Sequence, residues 1–170
     1  YLSWQDYAIM IKSMWLTQGG YQTLQSLGCD PLNTKTWLLP RSLIEFMVNL
    51  PFFWENDKFI VTHALAKSQD LEESIRVLNL IKSKEILESS LENFSDVTKS
   101  LIWNRDVQNT PIHKTKTHIS GHTPITKVKR YKKANCIQID TACVFGGTLT
   151  AYCLELNKLI SVKSRHNYFS

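Results

Sequence analysis

Residues 58–64 read KFIVTHA: a short, nearly continuous apolar run, rich in β-branched side chains, that ends on a histidine. Runs of this length and composition are expected of a strand buried on both faces, as in a parallel or mixed sheet packed between layers. Helical periodicity precedes it. In residues 4–16, Trp4, Tyr7, Ala8, Ile11, Met14 and Trp15 form one stripe at helical spacing, and Gly19-Gly20 is expected to end that helix. A second helix is expected after Pro40, with Leu43, Ile44, Met47, Val48 and Leu50 in the same rhythm and Pro51 as its stop.

Beyond the run, residues 70–92 predict a further helix, capped by Ser68 or Asp70, with Leu71, Ile75, Leu78 and Leu87 facing inward. The last third turns to strands. THISG, NCIQID, GTLTAYCLEL and LISVKS are short, β-branched and separated by Gly, Pro or Lys breaks. Helices followed by antiparallel-looking strands point to an α/β or α+β sandwich of layered sheet and helix. A chain of 170 residues accommodates one ordinary core, so a single domain over 1–170 is the expectation.

Composition narrows the function classes. The chain is 43% hydrophobic and 21% charged, and no apolar run approaches the ~18 residues of a membrane helix. The expectation is a protein without membrane span or secretory leader, located in the cytoplasm. Cys29, Cys136, Cys143 and Cys153 form no CxxC pair and sit in apolar stretches, which fits free thiols in a reducing compartment. The net charge of +5 is concentrated at Lys114, Lys116, Lys127, Lys129, Arg130, Lys132 and Lys133. Such a patch attracts a phosphorylated substrate or an acidic partner, or is a solvated hairpin. Nucleic acid is the less favoured partner.

Three residues stand out as chemistry. His63 and His122 each follow an apolar strand and precede a small or turn-forming residue, a position from which an imidazole can be aimed at a metal. On spacing alone, a histidine at a strand end is more often structural than a ligand. His118 lies four residues before His122; a strand would separate the two by ~13 Å, too far to share an ion. His113 and His166 read as surface residues. Arg105, in LIWNRD, has the planar fork that clamps phosphate, or forms a surface ion pair with Asp106. No GxSxG elbow and no GxxxxGK loop occurs.

Taken in order, WLTQGG, FIVTHA, LIWNRD, SGHTPI and IQIDTACVFGGTLTAYCLE resemble motifs of the calcineurin-like metallophosphoesterases. The likeness is greatest to their phosphoprotein phosphatases of the bacterial and bacteriophage-lambda serine/threonine type. The resemblance implies the C-terminal portion of that family's sandwich, mixed β-sheets flanked by helices. It implies that His63 and His122 ligate metal and that Arg105 holds the substrate phosphate. It also implies two divalent metal ions, Mn or else Fe or Zn, that activate a hydroxide to hydrolyse a phosphorylated protein or a small phosphate ester.

The chain also departs from the family. Leu65 follows Ala64 where the family has Gly or Asp, and Ala142 replaces the glycine of its IDTG motif, which matters if that position needs a positive φ. The segment from His63 to Trp103 is long, and a helical insertion over 68–95 would fill it. None of the six glycines is followed by Asp or Asn, so GDxHG, GDxxDRG and GNHE are missing. Together with an opening on Tyr1, this suggests an incomplete metallophosphoesterase domain over 1–170, without the N-terminal motif-bearing half, inactive or nearly so by itself. The alternatives are a symmetrical bis(5'-nucleosyl)-tetraphosphatase and a non-catalytic binding module derived from a phosphatase, docking through its basic hairpin.

Overall fold

The computed structural model describes residues 12–67, 100–107 and 109–169. The expected helix over 70–92, the insertion over 68–95 and the first part of the stripe over 4–16 lie outside them. The chain divides into two compact units, Tyr1–Leu50 and Pro51–Ser170. Among the described residues no helix is long and apolar enough to cross a membrane.

In the first unit, residues 12–15 are helical and pass into a π-type turn, Leu16–Gly20. Gly19 adopts φ 102 there, a left-handed conformation that glycine takes without Cβ strain. The double glycine therefore kinks the chain rather than ending it. A helix missed in the sequence follows directly, α1 (Tyr21–Ser26), with Leu24 fully buried. The expected helix after Pro40 is α2 (Arg41–Val48), which ends at Asn49, whose Nδ2 donates to Glu45 O at 2.6 Å. Its apolar stripe is open: Ile44, Met47 and Phe46 are 45%, 54% and 63% exposed.

The second unit is a mixed sheet with a few helical residues beside it. Its strands are β1 (Phe53–Glu55), β2 (Phe59–Thr62), β3 (Thr117–Ser120), β4 (Lys129–Tyr131) and β5 (Cys136–Gln138), in the order β1-β2-β3-β5-β4. Strands β2, β3 and β5 are parallel, while β1 and β4 flank them antiparallel. A separate antiparallel pair, β6 (Thr148–Cys153) and β7 (Lys158–Lys163), forms a hairpin. The class is thus α/β with a mixed sheet. The antiparallel reading of the last third holds for β6–β7 and for β4–β5, but not for the centre, where a one-strand-at-a-time pattern cannot reveal parallel pairing. Strands β1 and β4, three residues each, are too short to leave a periodic signal.

Register explains the burial. Ile60 pairs with His118 and His118 with Cys136; two residues further along, Thr62, Ser120 and Gln138 occupy the same face. That face is buried and largely polar, and it satisfies itself. Thr62 Oγ1 lies 2.7 Å from His118 Nε2 and 2.5 Å from Ala64 O, and Ser120 Oγ lies 3.8 Å from Cys136 Sγ. On the opposite face Ile119 and Ile137 are buried while Phe59 and Val61 are only half-buried. The expectation that KFIVTHA is buried on both faces is therefore met on one face only. Apolar packing comes from Ile60, Ala66, Leu101 and Ile112, and from Leu65 with Ala134 and Cys136.

The four cysteines are free, Cys29 and Cys136 buried and the other two partly so. The basic segment forms the β4–β5 hairpin, with Lys129, Arg130, Lys132 and Lys133 exposed. Lys116 is instead paired with Glu55 at 2.6 Å.

Candidate functional site

Three neighbouring parallel strands end on the same side of the sheet, and the chain leaves each with a polar residue. His63 follows β2, Gly121-His122 follow β3, and Asp140 lies two residues beyond β5. Carboxyl ends of parallel strands are where open α/β sheets place ligands, because the strands hold the departing loops rigidly. Backbone bonds knit the loops together: Gly121 N donates to His63 O at 2.9 Å, and Ile125 N to Asp140 O at 3.0 Å.

These bonds bring together two residues 59 positions apart. His63 Nε2 and His122 Nδ1 are 3.1 Å from each other. Two ligand nitrogens each about 2.1 Å from one ion and separated by this distance subtend roughly 95° at it, within the range of common coordination polyhedra. The second ring nitrogen of His122, Nε2, is buried with no hydrogen-bond partner among the described residues. His122 also has φ 64, an uncommon conformation for a residue with a Cβ. Two imidazoles tilted 54° to each other, with ring nitrogens 3.1 Å apart on a left-handed backbone turn, fit a metal-ligating role chemically. Among the described residues no group of three or more His, Cys, Asp or Glu side chains could hold an ion.

The segment carrying Trp103 and Arg105 is fastened to the end of β2. Ala64 N donates to Leu101 O at 2.9 Å and Leu65 N to Asn104 O at 3.3 Å, while Asn104 Nδ2 donates to Leu65 O. Trp103 meets the His122 ring edge to face, with centroids 5.3 Å apart. Arg105 is exposed, and its charge reaches His122. Burial, first, and then the charges of His63 and Arg105 lower the His122 pKa, against Asp140 and the Trp103 main chain, which raise it. The ring is thereby held neutral at pH 7 with a lone pair to offer.

His118 is drawn elsewhere. It is 2% exposed, its pKa is pushed down to about 4 by burial, and Thr62 takes its Nε2. With the Thr62 hydroxyl donating to Ala64 O, His118 donates Nε2–H to Thr62 Oγ1, and burial keeps the ring neutral beneath the strand-end loops. His166 is exposed, and His113 caps its own turn, its Nδ1 accepting from Thr115 N at 3.2 Å.

Several contributors were not singled out in the sequence. Asp140 acts on His122 and accepts from Ala142 N at 3.1 Å; its position straight after a predicted strand was the available signal. Asn104 is the fastener between Trp103 and Arg105, a role that a lone asparagine does not announce. Gln138 is 1% exposed, donates to Thr123 O at 2.9 Å and accepts from Tyr131 Oη at 2.9 Å, which ties the His122 loop to β5. Ala142 has φ 60, so the position where the resemblance expects glycine does require the left-handed region. Compared with known proteins, the chain matches no family model and no curated protein sequence.

Proposed function

We propose that His63, His122 and Arg105 form part of a metal-dependent phosphoric monoester hydrolase site, of the serine/threonine protein phosphatase type within the calcineurin-like metallophosphoesterases. The observation that carries this reading is the 3.1 Å approach of His63 Nε2 to His122 Nδ1 at adjoining strand ends, with Arg105 beside them. His63 and His122 would hold divalent ions, Mn or else Fe or Zn. Such ions supply Lewis acidity at the phosphoryl oxygens and a water of lowered pKa.

The chain's own residues do the rest. The neutral His122 presents Nδ1 as a donor atom, and Trp103 keeps the ring from turning away. Arg105 binds two phosphoryl oxygens through its fork and offsets the negative charge of the ester. Asp140 balances the local positive charge. Two imidazoles are few donors for a two-metal centre, so the 170-residue chain alone should turn over slowly or not at all. The expected substrates are phosphorylated proteins or small phosphate esters, and the expected compartment is the cytoplasm.

The test separates binding from turnover. Calorimetric titration of the chain with Mn should show binding that weakens at least about tenfold in His63→Ala and in His122→Ala. Hydrolysis of p-nitrophenyl phosphate, a phosphoserine peptide and diadenosine tetraphosphate, run in parallel on a longer chain where one exists, distinguishes monoester from anhydride cleavage. Equal Mn affinity in all three proteins would sink the metal-site reading. Retention of salt-sensitive binding to an acidic partner in the double variant would then favour the non-catalytic module, for which the exposed β4–β5 hairpin is the supporting observation.

A further inference from the structure

At the opposite end of the same strands lies a cavity of about 460 Å³, within the size range of small-molecule sites. Lys58 and Phe59 reach it from the start of β2, Arg130 and Lys132 from the β4–β5 hairpin, and Tyr152 and Glu155 from β6 and its turn. The strands between it and the histidines are three or four residues long, so the two sites are separated by about 10 Å or more.

The lining has two parts. One is aromatic: Phe59 and Tyr152 meet edge to face with centroids 6.1 Å apart, and the Arg130 guanidinium lies 5.7 Å from the Tyr152 ring centre. A guanidinium braced on a ring is an organised platform on which a flat base can stack. The other part is charged. Lys58, Arg130 and Lys132 face one carboxylate, Glu155, and none of the three cations is in an ion pair with a described residue. The resulting excess of two positive charges matches the roughly −1.5 to −2 charge of a phosphate monoester.

We propose that this cavity binds a nucleoside monophosphate, with the base against the Tyr152–Arg130 platform and the phosphate on Arg130, Lys132 and Lys58. The proposal does not rest on the metal-site reading. A volume of about 460 Å³ falls in the range of sites for a single small molecule, which favours a free nucleotide over a nucleic-acid strand.

The experiment is calorimetry or equilibrium dialysis of the 170-residue chain with adenosine monophosphate, adenosine and inorganic phosphate, at low salt in EDTA. The chelator removes any metal-dependent phosphate binding at His63 and His122. The nucleotide should bind at least about tenfold more tightly than either of its parts. Arg130→Gln and Lys132→Gln should each weaken it about tenfold, the loss expected for one charge-assisted contact. Lys127→Gln removes a charge outside the cavity and should leave affinity unchanged, as should the His63→Ala/His122→Ala double variant. Tyr152→Phe should retain binding and Tyr152→Leu lose it; unchanged melting curves for the two exposed-residue variants exclude misfolding. Nucleotide affinity no greater than that of phosphate, or equal losses in Lys127→Gln and Arg130→Gln, overturns the proposal. So does loss of binding in the double-histidine variant. Preference for a single-stranded oligonucleotide over the mononucleotide would overturn it as well.

Discussion

Acidification from pH 7 to pH 5 should cost the Pro51–Ser170 unit about 2 kcal/mol through His118 alone. Burial lowers the His118 pKa from 6.5 in the unfolded chain to about 4 in the folded one. Between those values the unfolded chain binds the extra proton and the folded protein does not. Stability is therefore full above pH 6.5 and declines as pH falls through the window toward 4. Each unit of pKa difference is worth about 1.4 kcal/mol, so the whole window amounts to roughly 3 kcal/mol and the step to pH 5 to about 2. A site 2% exposed, whose only described Nε2 partner is the Thr62 hydroxyl, has little water to offset the charge. The assay is urea denaturation at pH 7 and pH 5 for the wild type and for His118→Gln, which keeps a donor near Thr62 but does not titrate. Other titrating groups, His122 included, are common to both proteins and cancel. The wild type should lose about 2 kcal/mol more than the variant between the two pH values. An equal loss in both would refute the assignment of His118 as a neutral, buried donor.

Three further outcomes follow from the backbone and the loop anchors. Ala142→Gly should raise stability by about 0.5–1 kcal/mol, seen as a higher urea midpoint, because φ 60 strains a residue with a Cβ more than the added glycine entropy costs. Gly147→Ala should destabilise by about 2 kcal/mol or more in the same measurement. Its Cβ would lie 2.2 Å from Thr141 O and 2.7 Å from Ala142 O, and both are main-chain atoms that cannot swing aside. Gln138→Leu should cost about 2 kcal/mol by stranding the Thr123 carbonyl and the Tyr131 hydroxyl, and should broaden the His122 ring signals in NMR spectra.

Legibility in the sequence tracked how local the responsible physics was. The end of β2 at His63 and of β3 before His122 could be read from apolar runs followed by small or turn-forming residues, since those signals reside within a few positions. The helix after Pro40 was equally plain, because proline and a 3–4 rhythm act locally. Chains of polar contacts were not legible. Thr62, His118, Ser120, Cys136 and Gln138 look like ordinary strand residues, and only register places them on one buried face where each finds a partner. The buried role of His118 depended on Thr62, 56 positions away.

Residue chemistry by itself determined which groups could act: two imidazoles at strand ends, one arginine with a phosphate-shaped fork, and a basic segment around residues 114–133. The family resemblance, not residue chemistry, marked Ala142 as the position at which a positive φ would matter. Tertiary structure decided which of these meet. Parallel pairing of β2 with β3 and a single backbone bond, Gly121 N to His63 O, convert 59 residues of separation into a 3.1 Å contact. Pairing of β4 with β5, together with the β6–β7 hairpin, turns a run of lysines and arginines into one wall of an aromatic-lined cavity. Periodicity can specify that a strand exists and which of its faces is apolar. It carries no information on which strand lies beside it, because that choice is made by the summed energy of contacts between residues far apart in the chain.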